Sequence, residues 1–464
     1  MPTPLQSLVA GARGWYLRSW RYGPETERLM AEASEREGWG EERWASYSED
    51  RLAEVLHRAA TRVPYYRDYW AARRRAGDRR SAERLEHWPI ISKEQLRAQP
   101  QAFVADDCDI RRMYHERTSG TTGTPLDLWL GRRAVRSWFA LYEQRTRGWH
   151  GLSREDPWGM MGGQPVVPPS REEPPFWVWN APMRQLYISA NHVSRRNAPA
   201  FLEAMRSYGI THLITYASTA AELASEAVDL GLGLQGLGVV ITNAEPVYAW
   251  QRNVIRAAFG CEVQETYGMA ESVAGASECS SGSLHLWPEV GHVELLHDDA
   301  DEPVPAGTAG RLVCTGLLNP DMPLIRFAVG DRAARSIDQT CSCGRKLPRL
   351  SHIEGRTNDL LIAPDGRRVY WLNPILYGLP IRQAQIVQES LERVRIRYVP
   401  APGFTSADEY EIAGRLYQRL GDVDVVFEVL DVIPREANGK FKAVRCDLPP
   451  DQRERAGLRE GAVP

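Results

Sequence analysis

The sequence predicts an α/β protein: a large N-terminal domain with parallel α/β sheets and a small β-rich subdomain, followed by a small α+β C-terminal domain. Three patterns carry this expectation. Across 126–250, helical runs such as 197–208 and 219–230 alternate with short β-rich runs, among them HLITYAS and GVVITNA. Strand–helix alternation favours a mostly parallel sheet. Residues 283–335 are richer in strand-like segments (SLHLW, GHVELL, GRLVCTG, LIRFAVGDRAARS) divided by Gly and Pro turns, as in an antiparallel or barrel-like subdomain. Past a polar break at 354–359, EGRTND, the strands QAQIVQES, RVRIRYVP and DVVFEVLDVI accompany one helix near 406–420.

At 464 residues the chain exceeds what one compact core holds. The domains expected are 1–355, divided into helical 1–105, α/β 106–280 and β-rich 281–355, and a mobile C-terminal domain at 356–464. The helical opening rests on charged and aromatic residues at helical spacing, as in EERWASYSEDRLAEVLHRAATR, with Pro64 and Pro89 as punctuation. The first twenty residues lack a charged start followed by a long hydrophobic region, so they read as a surface helix rather than a signal peptide. No apolar run approaches the roughly 20 residues that span a bilayer. The net charge of −3 gives no electrostatic case for nucleic acid or an anionic membrane. The tail at 450–464 reads as frayed or as a short helix.

Thr118-Ser119-Gly120-Thr121-Thr122-Gly123-Thr124-Pro125 is the strongest local signal. Two glycines let the backbone turn tightly, successive N–H groups can form an anion-binding nest, and the hydroxyls add donors for phosphate oxygens. A polar surface turn has the same composition. The Gly-Lys-Ser/Thr ending of the nucleotide-kinase P-loop is missing.

The run TSGTTGTP resembles the phosphate-binding loop of the adenylate-forming superfamily of acyl-CoA synthetases, peptide-synthetase adenylation domains and luciferases. Further matches follow in order. Tyr267-Gly268-Met269-Ala270-Glu271 resembles that family's Tyr-Gly-x-x-Glu, and Gly330-Asp331-Arg332 its Gly-Asp motif. Gly355-Arg356-Thr357-Asn358-Asp359 resembles its hinge, and Pro434 to Lys440 its C-terminal Pro-x₄-Gly-Lys. The phenylacetate-CoA ligase and CapK-like branch is the nearest in flavour, through VPYYRDYW, WPIISKEQLR and CSCGRKLPRLSHIEGR.

The resemblance implies an ATP-dependent, carboxylate-activating ligase. A carboxylate would attack the α-phosphate of ATP, giving an acyl-adenylate with AMP as a good leaving group. A crowded anionic transition state then needs cations and alignment. The resemblance assigns Mg2+ to Glu271 and the bridging cation to Lys440. Asp331 would hold the ribose hydroxyls. Tyr267 and Gly268 would pack against adenine, with Ala244-Glu245-Pro246 on the other side. Arg356 would reach ribose or phosphates, and Thr118, Ser119, Gly120, Thr121, Thr122 and Gly123 would line the phosphates. Singly, such residues are ordinary: a solvated Glu, a turn Asp, a hairpin Lys. Their co-occurrence in order makes the pattern specific.

Cys279, His285, Cys341 and Cys343 together supply three thiolates and an imidazole, a tetrahedral zinc set. Gly282 and the glycine after Cys343 permit the tight turns such ligation needs. Reduced surface cysteines beside a hairpin histidine are the plain alternative. Seven cysteines, an odd number in a large chain, suit a reducing compartment, and a cytoplasmic location is expected. Cys108, Cys261, Cys314 and Cys446 read as core residues.

Two stretches depart from the phenylacetate-CoA ligase pattern. Asn358 stands at the hinge, where Asn tolerates unusual backbone angles. Beyond it, LLIAPDGRRVYWLNPILYGLPIRQAQIVQES replaces the relatives' stretch ending in Asn-Val-Phe-Pro. The acceptor therefore stays open between coenzyme A (CoA) and an amine, hydroxyl or sugar. Trp158, Gly162, Gly163, Gln164, Trp177 and Trp179 lie where the branch shapes its acyl pocket, or equally pack beneath the Pro-rich loop. The expected partners are a small-molecule carboxylic acid and a nucleophilic acceptor, with a homodimer left open. A degenerate nucleotide-binding scaffold in a biosynthetic complex is the contrasting class, against which Glu271, Asp331 and Lys440 speak.

Overall fold

The computed structural model describes residues 3–118, 125–164, 166–168, 170–356, 360–369, 372–376, 378–435, 441–449 and 451–452. The chain opens with helices α1 (Thr3–Arg21), α2 (Thr26–Arg36), α3 (Glu41–Arg62), α4 (Pro64–Arg75) and α5 (Lys93–Ala98). Val63, extended ahead of Pro64, ends α3, and Pro64 opens α4, because the first position of a helix needs no N–H donor. At α5, Ser92 and Gln95 form a reciprocal capping box. The aromatic residues of this region have a packing purpose. Tyr66, Trp70, Trp88 and Phe103 are fully buried against one another. The Tyr66 hydroxyl accepts a 3.0 Å hydrogen bond from Ile325 N, fastening the helical opening to the distant β-rich stretch.

Strands β1 (Tyr114–Arg117) and β2 (Asp127–Leu130) pair antiparallel around the Gly/Thr loop. Helix α6 (Arg132–Arg145) follows. The α/β stretch then runs β3 (Trp158–Gly162), β4 (Trp177–Asn180), β5 (Gln185–Ser189), α7 (Ala198–Ser207), β6 (His212–Thr215), α8 (Ala217–Asp229), β7 (Val239–Thr242), α9 (Ala249–Phe259) and β8 (Glu262–Gly268). Strands β9 (Gly275–Glu278), β10 (Leu284–Leu286), β11 (Gly291–Leu296), β12 (Ala309–Gly316), β13 (Phe327–Arg335) and β14 (Arg349–Arg356) complete it.

Among the described residues these strands form a twelve-stranded sheet in the order β11-β12-β13-β14-β10-β9-β8-β7-β6-β3-β5-β4. Strands β5, β3, β6, β7 and β8 are parallel. Every residue of β6 and β7 is buried, as expected of parallel strands covered on both faces. The β-rich stretch does not close into a barrel of its own. Strand β8 is long enough to serve both regimes: Glu262 to Glu265 pair parallel with β7, and Thr266 to Gly268 pair antiparallel with β9. The two halves are also tied by a buried ion pair. Arg145 on α6, with no exposed surface, binds both oxygens of Glu289 at 2.7 and 2.8 Å.

The C-terminal part contains β15 (Leu361–Ile362), β16 (Arg368–Val369), β17 (Ile381–Ser390), β18 (Arg393–Pro400), α10 (Ser406–Leu420), β19 (Asp424–Val429) and β20 (Val444–Cys446). Its four-stranded sheet runs β19-β18-β17-β20, antiparallel at the centre and parallel at both edges. Ile412, Leu416 and Leu420, four residues apart on α10, bury against Ile386, Val394 and Ile396. Among the described residues, no helix is long and apolar enough to cross a membrane.

Candidate adenylate-binding site

A cavity of about 560 Å³ opens at the carboxyl ends of the parallel strands, where ligands of open α/β sheets bind. Each strand hands over a residue. Gly162 ends β3 and Gly163 follows it, Thr215 ends β6 and Tyr216 follows it, Asn243 and Ala244 follow β7, and Thr266 to Gly268 end β8 with Met269 and Ala270 after them. Trp138 and Tyr142 of α6 and Trp287 close the far wall. A Cβ at Gly268 would lie 3.0 Å from the Trp138 ring, so glycine keeps this wall flat. Ala244 sits in the left-handed region at φ 61°, a strained backbone on the cavity surface.

Tyr267 is the fixed element of the site. Its hydroxyl donates a 2.7 Å hydrogen bond to Asp331 Oδ2. Burial, then the Asp331 charge, holds the phenol well above its usual titration range, so it stays a donor. Asp331 follows Gly330, at φ 83°, in β13, and Arg356 lies directly across from it on β14. Glu271 is half-buried in the turn after β8, near enough for its charge to act on Tyr267.

Residues 361–447 match the family described as the CapK C-terminal domain. Over 380 residues the chain is 23% identical to "Protein CapK" of Staphylococcus aureus, covering 79% of this chain and 81% of that protein. It is 33% identical over 152 residues to "Phenylacetate-coenzyme A ligase" of Thermus thermophilus, covering 31% of this chain and 34% of that enzyme. Its fold is similar to that of 2-hydroxyisobutyryl-CoA ligase in a postadenylation complex with R3-HIB-AMP. The TM-score is 0.66 at 20% identity, over 91% of this chain and 94% of that one. These relatives support the adenylate-forming superfamily for this chain, in its CapK and phenylacetate-CoA ligase-like branch.

Against that superfamily's pattern, the sequence-expected residues divide. Gly162, Gly163, Ala244, Tyr267 and Gly268 come together on the cavity wall, with Asp331 fastened to it through Tyr267. Ser119, Gly120, Thr121, Thr122, Gly123, Thr357, Asn358, Asp359 and Lys440 lie outside the described residues, and Arg356 is described only through its backbone. Thr118 is the neck of its loop: its Oγ1 accepts from Leu126 N at 2.9 Å, and its own N–H donates to Leu126 O.

Three expectations need correction. Trp158 is no pocket residue. It begins β3, at the end of the sheet away from the cavity, where its ring stacks on His212 under the Arg147 guanidinium and its Nε1–H donates to Met183 O. Trp177 lies on the edge strand β4 and packs against Phe201 of α7. Glu245 and Pro246 do not line the cavity. The Glu245 carboxylate instead accepts from Ser218 N at 2.9 Å and from Phe441 N at 2.8 Å.

That last bond joins the C-terminal part to the large sheet. Arg435 donates to Ser218 Oγ at 2.7 Å and to Glu222 at 2.9 Å. Arg382 reaches Asp229 at 2.5 Å. Between the two parts lies a second cavity of about 360 Å³, whose walls include Ser218, Glu222, Trp250, Arg382 and Phe441. Sequence reading missed Trp138, Tyr142, Tyr216, Asn243 and Trp287. Tyr216 and Asn243 were within reach, since each follows a buried β run. The α6 and Trp287 aromatics carry no motif.

Cys279, His285, Cys341 and Cys343 do converge, their ligand atoms all within 4.8 Å of one another. Cys279 follows β9, His285 sits in β10, and the other two lie in the loop between β13 and β14. The turns carry Gly282 at φ 72° and Gly344 at φ 81°. Cys279 Sγ and Cys341 Sγ are 3.7 Å apart, close to the roughly 3.8 Å edge of a tetrahedron with zinc–sulfur bonds near 2.3 Å. His285 Nδ1 lies 3.2 Å from Leu347 O and Nε2 lies 3.4 Å from Cys343 Sγ, so a proton on Nδ1 would turn the lone pair of Nε2 toward the sulfurs. Burial raises the Cys341 thiol, but hydrogen bonds from Ser283, Cys343 and His285 outweigh it and bring it down to about 6. Of the remaining cysteines, Cys261 and Cys314 are core residues, whereas Cys108 and Cys446 are half-buried.

Proposed function

We propose that the protein uses ATP to convert a carboxylic acid to its acyl-adenylate, releasing pyrophosphate, and then passes the acyl group to a nucleophilic acceptor. The observation carrying this reading is the cavity at the carboxyl ends of β3, β6, β7 and β8, with Tyr267 held in place by Asp331. Its volume suits a nucleotide-sized ligand. Tyr267 and Ala244 would face the base, and Asp331 the ribose hydroxyls. Glu271 would ligate Mg2+. The loop 118–123 would cradle the phosphates, with Arg356 beside them.

The carboxylate oxygen would attack the α-phosphorus while the bond to the bridging oxygen breaks. Lys440 would neutralise charge between the two anions. Phe441, next in the chain, is bonded to Glu245 beside the cavity, which supports this placement. The domains would divide at 355/356, with the small one turning about 356–359 to withdraw Lys440 and admit the acceptor. CoA, an amine or a hydroxyl each fits this scheme. The four-residue Cys/His cluster would hold a structural zinc, closed because the protein supplies every ligand.

ATP–pyrophosphate exchange across a panel of carboxylic acids tests the first step, and CoA and amines offered separately to the active acid test the second. Lys440→Ala should abolish exchange yet retain transfer from supplied acyl-AMP. Equal loss in both half-reactions would remove Lys440 from its proposed position. Nucleotide binding without exchange for any acid would overturn the ligase reading.

A further inference from the structure

Helix α1 has one face committed to the protein and one face turned outward. Inward, Leu17 and Trp20 are buried. Gly14 lies so near Asn180 that an added Cβ would sit 2.0 Å from its Oδ1, and Arg18 donates to Pro182 O at 3.1 Å. These contacts fix the rotation of the helix about its axis. Outward, Leu8 and Trp15 are each 71% exposed, Val9 57% and Tyr16 54%. At 3.6 residues per turn, Leu8, Ala12, Trp15 and Ser19 share a stripe, with Val9 and Tyr16 along its side. The Tyr114 ring continues this surface, 6.5 Å from Tyr16 and 5.6 Å from Trp20.

Basic residues outnumber acidic ones around the stripe. Residues 3–21 contain Arg13, Arg18 and Arg21 and no Asp or Glu. Arg132 lies over the Trp20 ring at 4.4 Å, and the Arg111 and Arg112 side chains precede Tyr114 almost fully exposed. Asp109 pairs with Arg111 at 3.1 Å and with Arg112 at 3.8 Å, Glu155 pairs with Arg18, and Glu116 is a further acidic neighbour. The overall charge of −3 does not oppose this patch, because exposed charges act over a Debye length of about 8 Å.

We infer that α1 is an in-plane docking helix for an anionic lipid surface. Leu8, Val9, Trp15 and Tyr16 enter the headgroup boundary while Arg13 and the neighbouring arginines meet lipid phosphates. Trp and Tyr suit that boundary because each joins an apolar ring to a polar tip. A protein partner or a second copy would need an acidic, apolar complement to the same stripe.

The test is co-sedimentation of the full chain with vesicles of equimolar phosphatidylglycerol and phosphatidylcholine, against phosphatidylcholine alone. Binding is expected only to the anionic vesicles and should weaken as salt rises. Leu8→Ser with Trp15→Ser should weaken it at least about tenfold, and Arg13→Glu several-fold. These positions are exposed, so melting temperatures should match wild type within a degree or two. Wild type that stays in the supernatant, or variants that bind as wild type does, overturns the inference. Self-association that Trp15→Ser abolishes, without vesicle binding, overturns it in favour of a second copy.

Discussion

The Tyr267 hydroxyl and Asp331 Oδ2, 2.7 Å apart, join the end of β8 to β13 across three intervening strands of the sheet. The bond turns the ring proposed to face adenine and the carboxylate proposed to hold the ribose into one rigid unit. Tyr267→Phe should destabilise the chain by about 1–2 kcal/mol, a hydrogen bond to a charged acceptor, and raise the KM for ATP several-fold. Asp331→Ala should lower ATP–pyrophosphate exchange far more. The double variant should show a coupling energy of at least about 1 kcal/mol in melting experiments, and additive effects would mean the two residues act independently.

Most of the architecture was legible because it rests on local pattern. The β runs HLIT and VVIT and helix 406–420 appear where periodicity placed them, whereas Tyr267-Gly268 and Gly330-Asp331, singled out by resemblance, lie within β8 and β13. What escaped was set by tertiary partners. Nothing in WGMMG tells that Trp158 starts its strand beneath Arg147 while the glycines end it at the cavity. Nor does Ala-Glu-Pro show that Glu245 has two backbone N–H partners, one of them 196 residues away. The single continuous sheet was hidden for a related reason: β8 reverses its pairing partway along, and a two-residue period is the same for parallel and antiparallel neighbours.

Arg145 and Glu289 form a two-bond ion pair with almost no water access. Glu289→Gln leaves the guanidinium without its charge partner in a buried place. A loss of roughly 3–5 kcal/mol is expected, read as a lower denaturant midpoint at unchanged slope. A loss under about 1 kcal/mol would show that Glu37, 3.7 Å from Arg145 Nε, compensates.

His212 is buried and accepts a 2.7 Å hydrogen bond from Arg147 Nε. Burial first, then the Arg147 charge, brings its titration down from 6.5 to about 2. Folded, the ring is neutral through the physiological range, whereas the unfolded chain takes up a proton near 6.5. Acidification below that point therefore favours unfolding. The contribution of this residue should reach about 2 kcal/mol at about pH 5. His212→Gln keeps an acceptor for Arg147 and removes the titration. The stability gap between wild type and variant should narrow by that amount from about pH 7.5 to about pH 5, and a constant gap would contradict the assignment.

The Cys279, His285, Cys341 and Cys343 cluster should carry about one zinc per chain, measured by elemental analysis of protein purified without added metal. Cys341→Ser and His285→Ala should each lose it. Chelation should lower the melting temperature by a few degrees, because the cluster fastens the β13–β14 loop to the β9–β10 hairpin. Metal-free protein with an unchanged melting temperature in chelator would leave the cluster as reduced thiols.

Glu245 offers a separate handle on the proposed domain rotation. One carboxylate oxygen holds Ser218 N at the start of α8, and the other holds Phe441 N, immediately after Lys440. Arg435 fastens the same C-terminal segment to Ser218 and Glu222. Glu245→Ala removes the bond to residue 441 and leaves the Arg435 contacts. If that bond presents Lys440 for adenylation, exchange should fall about tenfold or more while transfer from supplied acyl-AMP changes little, because the second step follows after Lys440 has withdrawn. Arg435→Ala should act in the same direction, since it loosens the same docked arrangement. Equal losses in both half-reactions would instead make Glu245 a scaffold for the α8 end alone, and a selective loss of the second step would reverse the proposed order of docking and release.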